Sequence, residues 1–66
     1  MLVVMQRHAT QDQIDDVMEA ILALGLMPHA MPGATRTAIG ITGNTGAVDP
    51  RTLEVLPGVA ELIRVK

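Results

Sequence analysis

Phenylalanine, tyrosine, tryptophan and cysteine are all absent from the 66 residues. Without cysteine there are no disulfides and no thiolate metal sites, and the redox compartment stays open. Without aromatics there is no platform for stacking the bases of a single-stranded nucleic acid. The core must then be built from Leu, Ile, Val, Ala and the five Met, a plastic filling with no bulky anchor. Positive charge is also scarce: five Lys and Arg stand against seven Asp and Glu, for a net charge of −2. Such a surface offers no electrostatic attraction to nucleic acid or anionic lipid. A long apolar run is missing too. The longest, Ala20 to Met27, contains Gly25 and falls far short of the ~20 residues that a membrane span requires. Arg7 and His8 interrupt the short apolar start, so no secretory segment is read. Together these features imply a cytoplasmic protein with neither nucleic acid nor membrane as a partner.

What is present is a succession of short elements. A chain of about 60 residues buries only ~60% of its unfolded surface, so a single domain over residues 1–66 has a marginal core and benefits from a partner surface. Leu2 to Gln6 is a β-rich run with apolar residues at both parities, as expected of a central strand covered on both faces. Thr10 followed by Gln13 is a capping box that starts a helix near Gln11. Ile14, Val17, Met18, Ile21 and Leu22 give the helix one apolar side, while Asp12, Asp15, Asp16 and Glu19 form its solvated face. Gly25 supplies the left-handed stop, with Leu26 over Ile21. Met27 to Met31 reads as a second strand, placed at an edge because Pro28 cannot donate to a ladder. Pro32-Gly33 is a turn. Thr35 to Thr42 is the other central strand, with Thr35, Thr37, Ile39 and Ile41 alternating against the small Ala38 and Gly40. Gly43-Asn44-Thr45-Gly46 is a loop, Asp49 and Pro50 begin a short helix with Leu53 and Leu56 inside, and Val59 to Val65 is the last strand. The order βαββαβ specifies an α+β ferredoxin-like sandwich: an antiparallel sheet in order 4-1-3-2 with both helices on one face.

Candidate chemistry is sparse. His8 and His29 lie on different elements with no evident carboxylate partner, whereas metal sites want three or four ligands. No metal site is assigned. Gly40, Gly43 and Gly46 lack the Lys-Ser/Thr of a phosphate loop and the spacing of a dinucleotide fingerprint, and turn geometry accounts for them. Arg7 follows the first strand, but Gln6-Arg7-His8-Ala9-Thr10 lacks the glycines of an acylphosphatase-like loop. No catalytic residue and no cofactor is assigned, and the chain alone is not expected to be an enzyme.

Leu2-Val3-Val4, the helix ending at Gly25-Leu26, then His29, Gly33, Arg36-Thr37, Ile39-Gly40-Ile41, Gly43 and the closing Val59 to Val65 together resemble the amino-terminal ferredoxin-like domain of 3-deoxy-D-arabino-heptulosonate 7-phosphate (DAHP) synthase (phospho-2-dehydro-3-deoxyheptonate aldolase). The resemblance runs from Met1 to Lys66. In such enzymes the domain precedes a catalytic barrel that condenses phosphoenolpyruvate with erythrose 4-phosphate at the entry to the shikimate pathway. The barrel's catalytic and metal residues are absent from these residues. The resemblance implies an ACT-like allosteric role in aromatic amino-acid biosynthesis, in which paired domains bind an aromatic amino acid and the closed pair obstructs the barrel. It implies a ligand-contacting histidine at His29 and puts Met31 where the family has a small polar residue, so a tyrosine hydroxyl would lack its partner. His8 and Ala9 likewise stand where glycine is common.

The ligand site expected from these residues lies where the loop Arg7 to Thr10 meets the edge strand around His29, completed by a second subunit. His8, Thr10, His29, Met31, Arg36 and Thr37 are its candidates. Arg36 could clamp a carboxylate through its bidentate fork, and the helix amides at Thr10 to Gln13 could serve the same group. Each candidate also has a plain structural reading: an exposed edge residue for His29, interface filler for Met31, a solvated strand-end charge for Arg36. Self-association as a homodimer or higher oligomer is expected in either case. The alternative function is an association module whose apolar sheet face or edge pairs with a copy of itself or with a synthase barrel, with no small molecule bound.

Overall fold

A computed structural model describes residues 1–43 and 49–64. Asn44, Thr45 and Gly46 of the expected loop and Val65 of the expected last strand lie outside the described residues. The elements are β1 (Leu2–Met5), α1 (Gln11–Ala23), β2 (Met27–Pro32), β3 (Thr37–Thr42), α2 (Arg51–Glu54) and β4 (Val59–Ile63). The strands form one antiparallel sheet in the order β2-β3-β1-β4, which is the ferredoxin-like order expected from the sequence.

Local chemistry explains the helix boundaries. The Thr10 hydroxyl accepts from the Gln13 amide at 3.2 Å while the Gln13 side chain accepts from the Thr10 amide at 3.0 Å, so two of the helix's orphan donors are satisfied. At the other end the Gly25 amide donates to Leu22 and the Leu26 amide to Ile21, the paired bonds of a Schellman stop. Gly25 takes φ of 80°, a conformation in which a side chain is strained. The Asp49 carboxylate starts α2 by accepting from the Arg51 amide at 3.0 Å. It also binds the Arg51 guanidinium, and that hydrogen bonding holds its carboxyl below the usual carboxylate range.

Both helices cover the same face of the sheet. Val17 and Ile21 from α1 and Leu53 from α2 pack with Val3, Met5, Ile39, Ile41, Val59 and Leu26 in one buried cluster. Several details differ from the expectation. β2 runs on through Pro32, read as part of a turn, and α2 begins at Arg51 with Pro50 rather than Asp49 at its N-cap. Leu22, read as part of the inner stripe, is 54% exposed, because the stripe narrows to Val17 and Ile21 with Ile14 and Met18 at its margins. β3 begins at Thr37 rather than Thr35: the Gly33 amide donates to the Arg36 carbonyl at 2.9 Å, which draws residues 33–36 into a hairpin loop. A Cβ on Gly33 would come within 2.6 Å of that carbonyl oxygen, so the close approach requires glycine. β1 ends at Met5 rather than Gln6, because the Gln6 amide turns to the Gly58 carbonyl. No helix of the described residues is long and apolar enough to cross a membrane.

Candidate functional site

Two surfaces carry the candidate residues, and the strand register separates them. The first is the sheet face that the helices leave uncovered. Side chains alternate across a strand, so with Val3, Met5, Ile39 and Ile41 turned inward, their neighbours Leu2, Val4, Ala38, Gly40 and Thr42 are turned outward. The pairs Met27 with Thr42, His29 with Gly40, and Met31 with Ala38 put Met27, His29 and Met31 on this same outer face. Leu2 opposite Ile63 and Val4 opposite Glu61 complete it. Met27 is 56%, Met31 49% and Ile63 41% exposed.

This face is apolar with one polar centre. His29 Nε2 and Thr42 Oγ1 share a hydrogen bond of 3.0 Å on the exposed surface. Thr42 lies on the diagonal from His29, since His29 opposes Gly40 and Thr42 follows two residues on; such diagonal neighbours are within reach of a long side chain. The sequence signals Thr42 only once that register is known. Gly40 keeps the sheet thin beside it: a Cβ there would stand 3.3 Å from the Met31 Cε. The room that the small residues leave on this face is thus partly taken by the chain's own methionine methyl.

The second surface is a cleft of about 200 Å³ at one end of the sheet, lined by Gln6, Arg7, Ala9 and Ile14 on one side and by residues 33–37 on the other. It forms because β1 and β3 are antiparallel with Val4 opposite Ala38. The residues that leave β1 therefore meet those that enter β3. Arg36 and Thr37 fall together here with Arg7. The hairpin residues Gly33 and Ala34 in the wall are additions that motif reading did not supply.

The six candidates thus fall into three groups. Arg36 and Thr37 line the cleft. His29 and Met31 are on the uncovered face, with His29 at the level of Gly40, three ladder steps from the Pro32–Thr37 pair that borders the hairpin. His8 and Thr10 are exposed in the connection between β1 and α1, and the Thr10 hydroxyl is engaged in the capping box. A single ligand at the junction of the Arg7–Thr10 loop with His29 would have to reach from the cleft round to the other face of the edge strand. Among the described residues no cluster of three or more His, Cys, Asp or Glu is placed to hold a metal ion.

The fold has a counterpart among solved structures. A crystal structure of phospho-2-dehydro-3-deoxyheptonate aldolase (DAHP synthase) from Thermotoga maritima aligns with a TM-score of 0.91 at 31% identity, over 98% of this chain and 19% of that one. The chain thus spans about a fifth of that relative's length. No curated protein matches the sequence. The family model described as the DAHP synthase ferredoxin-like domain matches residues 1–66, the full extent of the sheet, its helices and both surfaces. On that match and the strand order that accompanies it, the chain belongs to the family of DAHP synthase ferredoxin-like domains.

Proposed function

We propose that this domain is the allosteric regulatory part of a DAHP synthase. Two copies pair through their uncovered sheet faces, an aromatic amino acid is held between them, and the closed pair obstructs the barrel that performs the condensation. The observation that carries the reading is the His29–Thr42 pair, exposed at 3.0 Å and flanked on the same face by Met27 and Met31. A polar pair within an apolar surface suits a ligand that is part ring and part hydrogen-bonding group. Small ligands are typically gripped by a few placed polar groups within a largely apolar wall. The methionines suit a planar ring because thioethers are polarisable and adaptable.

Because Met31 offers no hydroxyl partner, phenylalanine should bind at least as well as tyrosine. A buried, unpaired phenol would cost ~1–3 kcal/mol. Calorimetric titration of the chain with phenylalanine, tyrosine and tryptophan, with sedimentation in parallel, tests the reading. Saturable heat accompanied by a rise in sedimenting mass supports it, and His29→Ala should weaken binding at least several-fold while leaving the fold intact. If none of the three amino acids gives heat or shifts the His29 amide at millimolar concentration, regulation by these ligands is refuted. A dimer that forms without any of them would then favour the association module, for which the apolar character of the face already argues.

A further inference from the structure

We infer that the cleft between the β1–α1 connection and the β2–β3 hairpin is a binding site for a small oxyanion, held between the guanidinium groups of Arg7 and Arg36. The inference goes beyond the aromatic-ligand reading and uses none of its residues on the uncovered face.

Three observations support it. First, the fold brings two of the chain's five Lys and Arg residues into one cleft of about 200 Å³, and none of the cleft's lining residues is acidic. In a chain of net charge −2 this is a local reversal of sign, and a concave site focuses such a field. Second, both guanidinium groups keep their donors available. Among the described residues no carboxylate oxygen lies within 4.0 Å of either, and the ion pair that does form joins Arg51 to Asp49. Neither Arg7 nor Arg36 has a side-chain hydrogen bond among the described residues, whereas Arg51 makes several to Asp49. Third, the wall includes the hydroxyl-bearing Thr37 and Ile14 from the N-terminal part of α1, the end at which a helix field is positive. Asp12 in the first turn of α1 opposes that field, but it is not part of the cleft lining.

Two like charges across a small cleft repel unless a counter-charge sits between them. The planar fork of arginine matches the paired oxygens of a phosphate or a carboxylate. The cleft is smaller than the ~300–1,000 Å³ typical of sites for drug-sized ligands, so the occupant is a small phosphorylated or carboxylated metabolite, or that terminal group of a larger one. Gly33 matters here through shape: its hydrogen bond to Arg36 sets the hairpin that carries the second guanidinium to the cleft.

The test titrates the isotopically labelled chain with sodium phosphate, with sodium malate and with sodium chloride at matched ionic strength, following the Arg Nε resonances and the amides of Gly33 and Thr37. Saturable shifts at Arg7 and Arg36 in phosphate or malate but not in chloride are expected, and the tighter of the two assigns the anion's chemistry. Arg7→Gln and Arg36→Gln should each weaken binding at least tenfold. Arg64→Gln, which removes the same charge from outside the cleft, should leave it within twofold. Both cleft arginines are exposed, so the variants retain the fold, which the dispersion of the core methyl resonances checks. Equal shifts in chloride, no shift up to tens of millimolar, or equal weakening by Arg64→Gln would overturn the proposal. The aromatic-ligand reading stands or falls separately, on the His29 amide and on added phenylalanine.

Discussion

The two faces of this sheet are made by the same strands and differ in almost everything else. β1 turns Val3 and Met5 inward, where both are fully buried, and Leu2 and Val4 outward, where they are half-buried. β3 turns Ile39 and Ile41 inward and Ala38, Gly40 and Thr42 outward. The inner face is filled by branched aliphatics and Met5 packed against α1 and α2, and such packing tolerates little change of volume. The outer face combines small residues with unbranched methionines and one imidazole–hydroxyl pair. An apolar residue on this sheet therefore has a meaning that depends on its parity: inside it holds the domain together, and outside it is available to something else.

Substitutions on the two faces separate these roles. The largest effect is expected for Ile39→Ala, where the side chain is fully buried. Removing it should cost about 2–5 kcal/mol, comparable to the whole stability of so small a domain, taken as ~0.05–0.15 kcal/mol per residue. Urea unfolding should show a chain that is largely unfolded at 25 °C. A loss under ~1 kcal/mol would break the comparison from the inner side.

Next comes Gly58→Ala, at the entrance to β4. Gly58 has φ of 89°, and a Cβ there would lie 2.8 Å from the Gln13 Oε1, the atom that accepts from the Thr10 amide. Backbone strain and displacement of Gln13 together should cost about 1–3 kcal/mol. Amide exchange should report the damage at the first turn of α1 as well as at β4. Thr10→Ala deletes half of the same capping box and should cost about 1 kcal/mol, read as a lower urea midpoint with an unchanged slope.

The smallest effect on stability is expected for Met31→Ala on the outer face, within about 0.5 kcal/mol as for ordinary surface positions. Its effect on association should be the reverse. If the outer face pairs with a second copy, sedimentation should show weaker self-association, although the domain unfolds at the same urea concentration. A stability loss equal to that of Ile39→Ala would show that both faces are packed within one chain.

The parts of the fold that could be read from sequence are those whose causes are local. Thr10 and Gln13 lie on one helical turn, Gly25 and Leu26 close the same helix, and Pro28 marks an edge because it lacks a donor. Each involves residues a few positions apart, so the pattern is visible without the tertiary structure. Leu22 departs from its pattern for the opposite reason. It fits the apolar period, but the width of the buried stripe is set by what packs against α1, and Val17 and Ile21 occupy that contact. Thr35 continues the β-branched alternation of Thr37, Ile39 and Ile41, yet the bond from Gly33 to Arg36 claims it for the hairpin. The surfaces followed the same division. Parity put His29 and Met31 on one face, but bringing Arg7 and Arg36 to one cleft depends on the register of β1 with β3, and joining His29 to Thr42 depends on the register across the β2–β3 hairpin.

The pairing of β1 with β4 joins strands far apart in sequence, with Leu2 opposite Ile63. During synthesis β1 emerges well before β4, and its β4-facing edge lacks this partner until Val59–Ile63 has left the ribosome. Until then the uncharged run Leu2-Val3-Val4-Met5 presents unpaired amides and carbonyls of the kind that recruit a neighbouring strand. Late closure makes the intact sheet wait on the synthesis of Val59–Ile63. A chain interrupted before Gly58 would carry an open apolar edge, the state in which intermolecular pairing competes with folding.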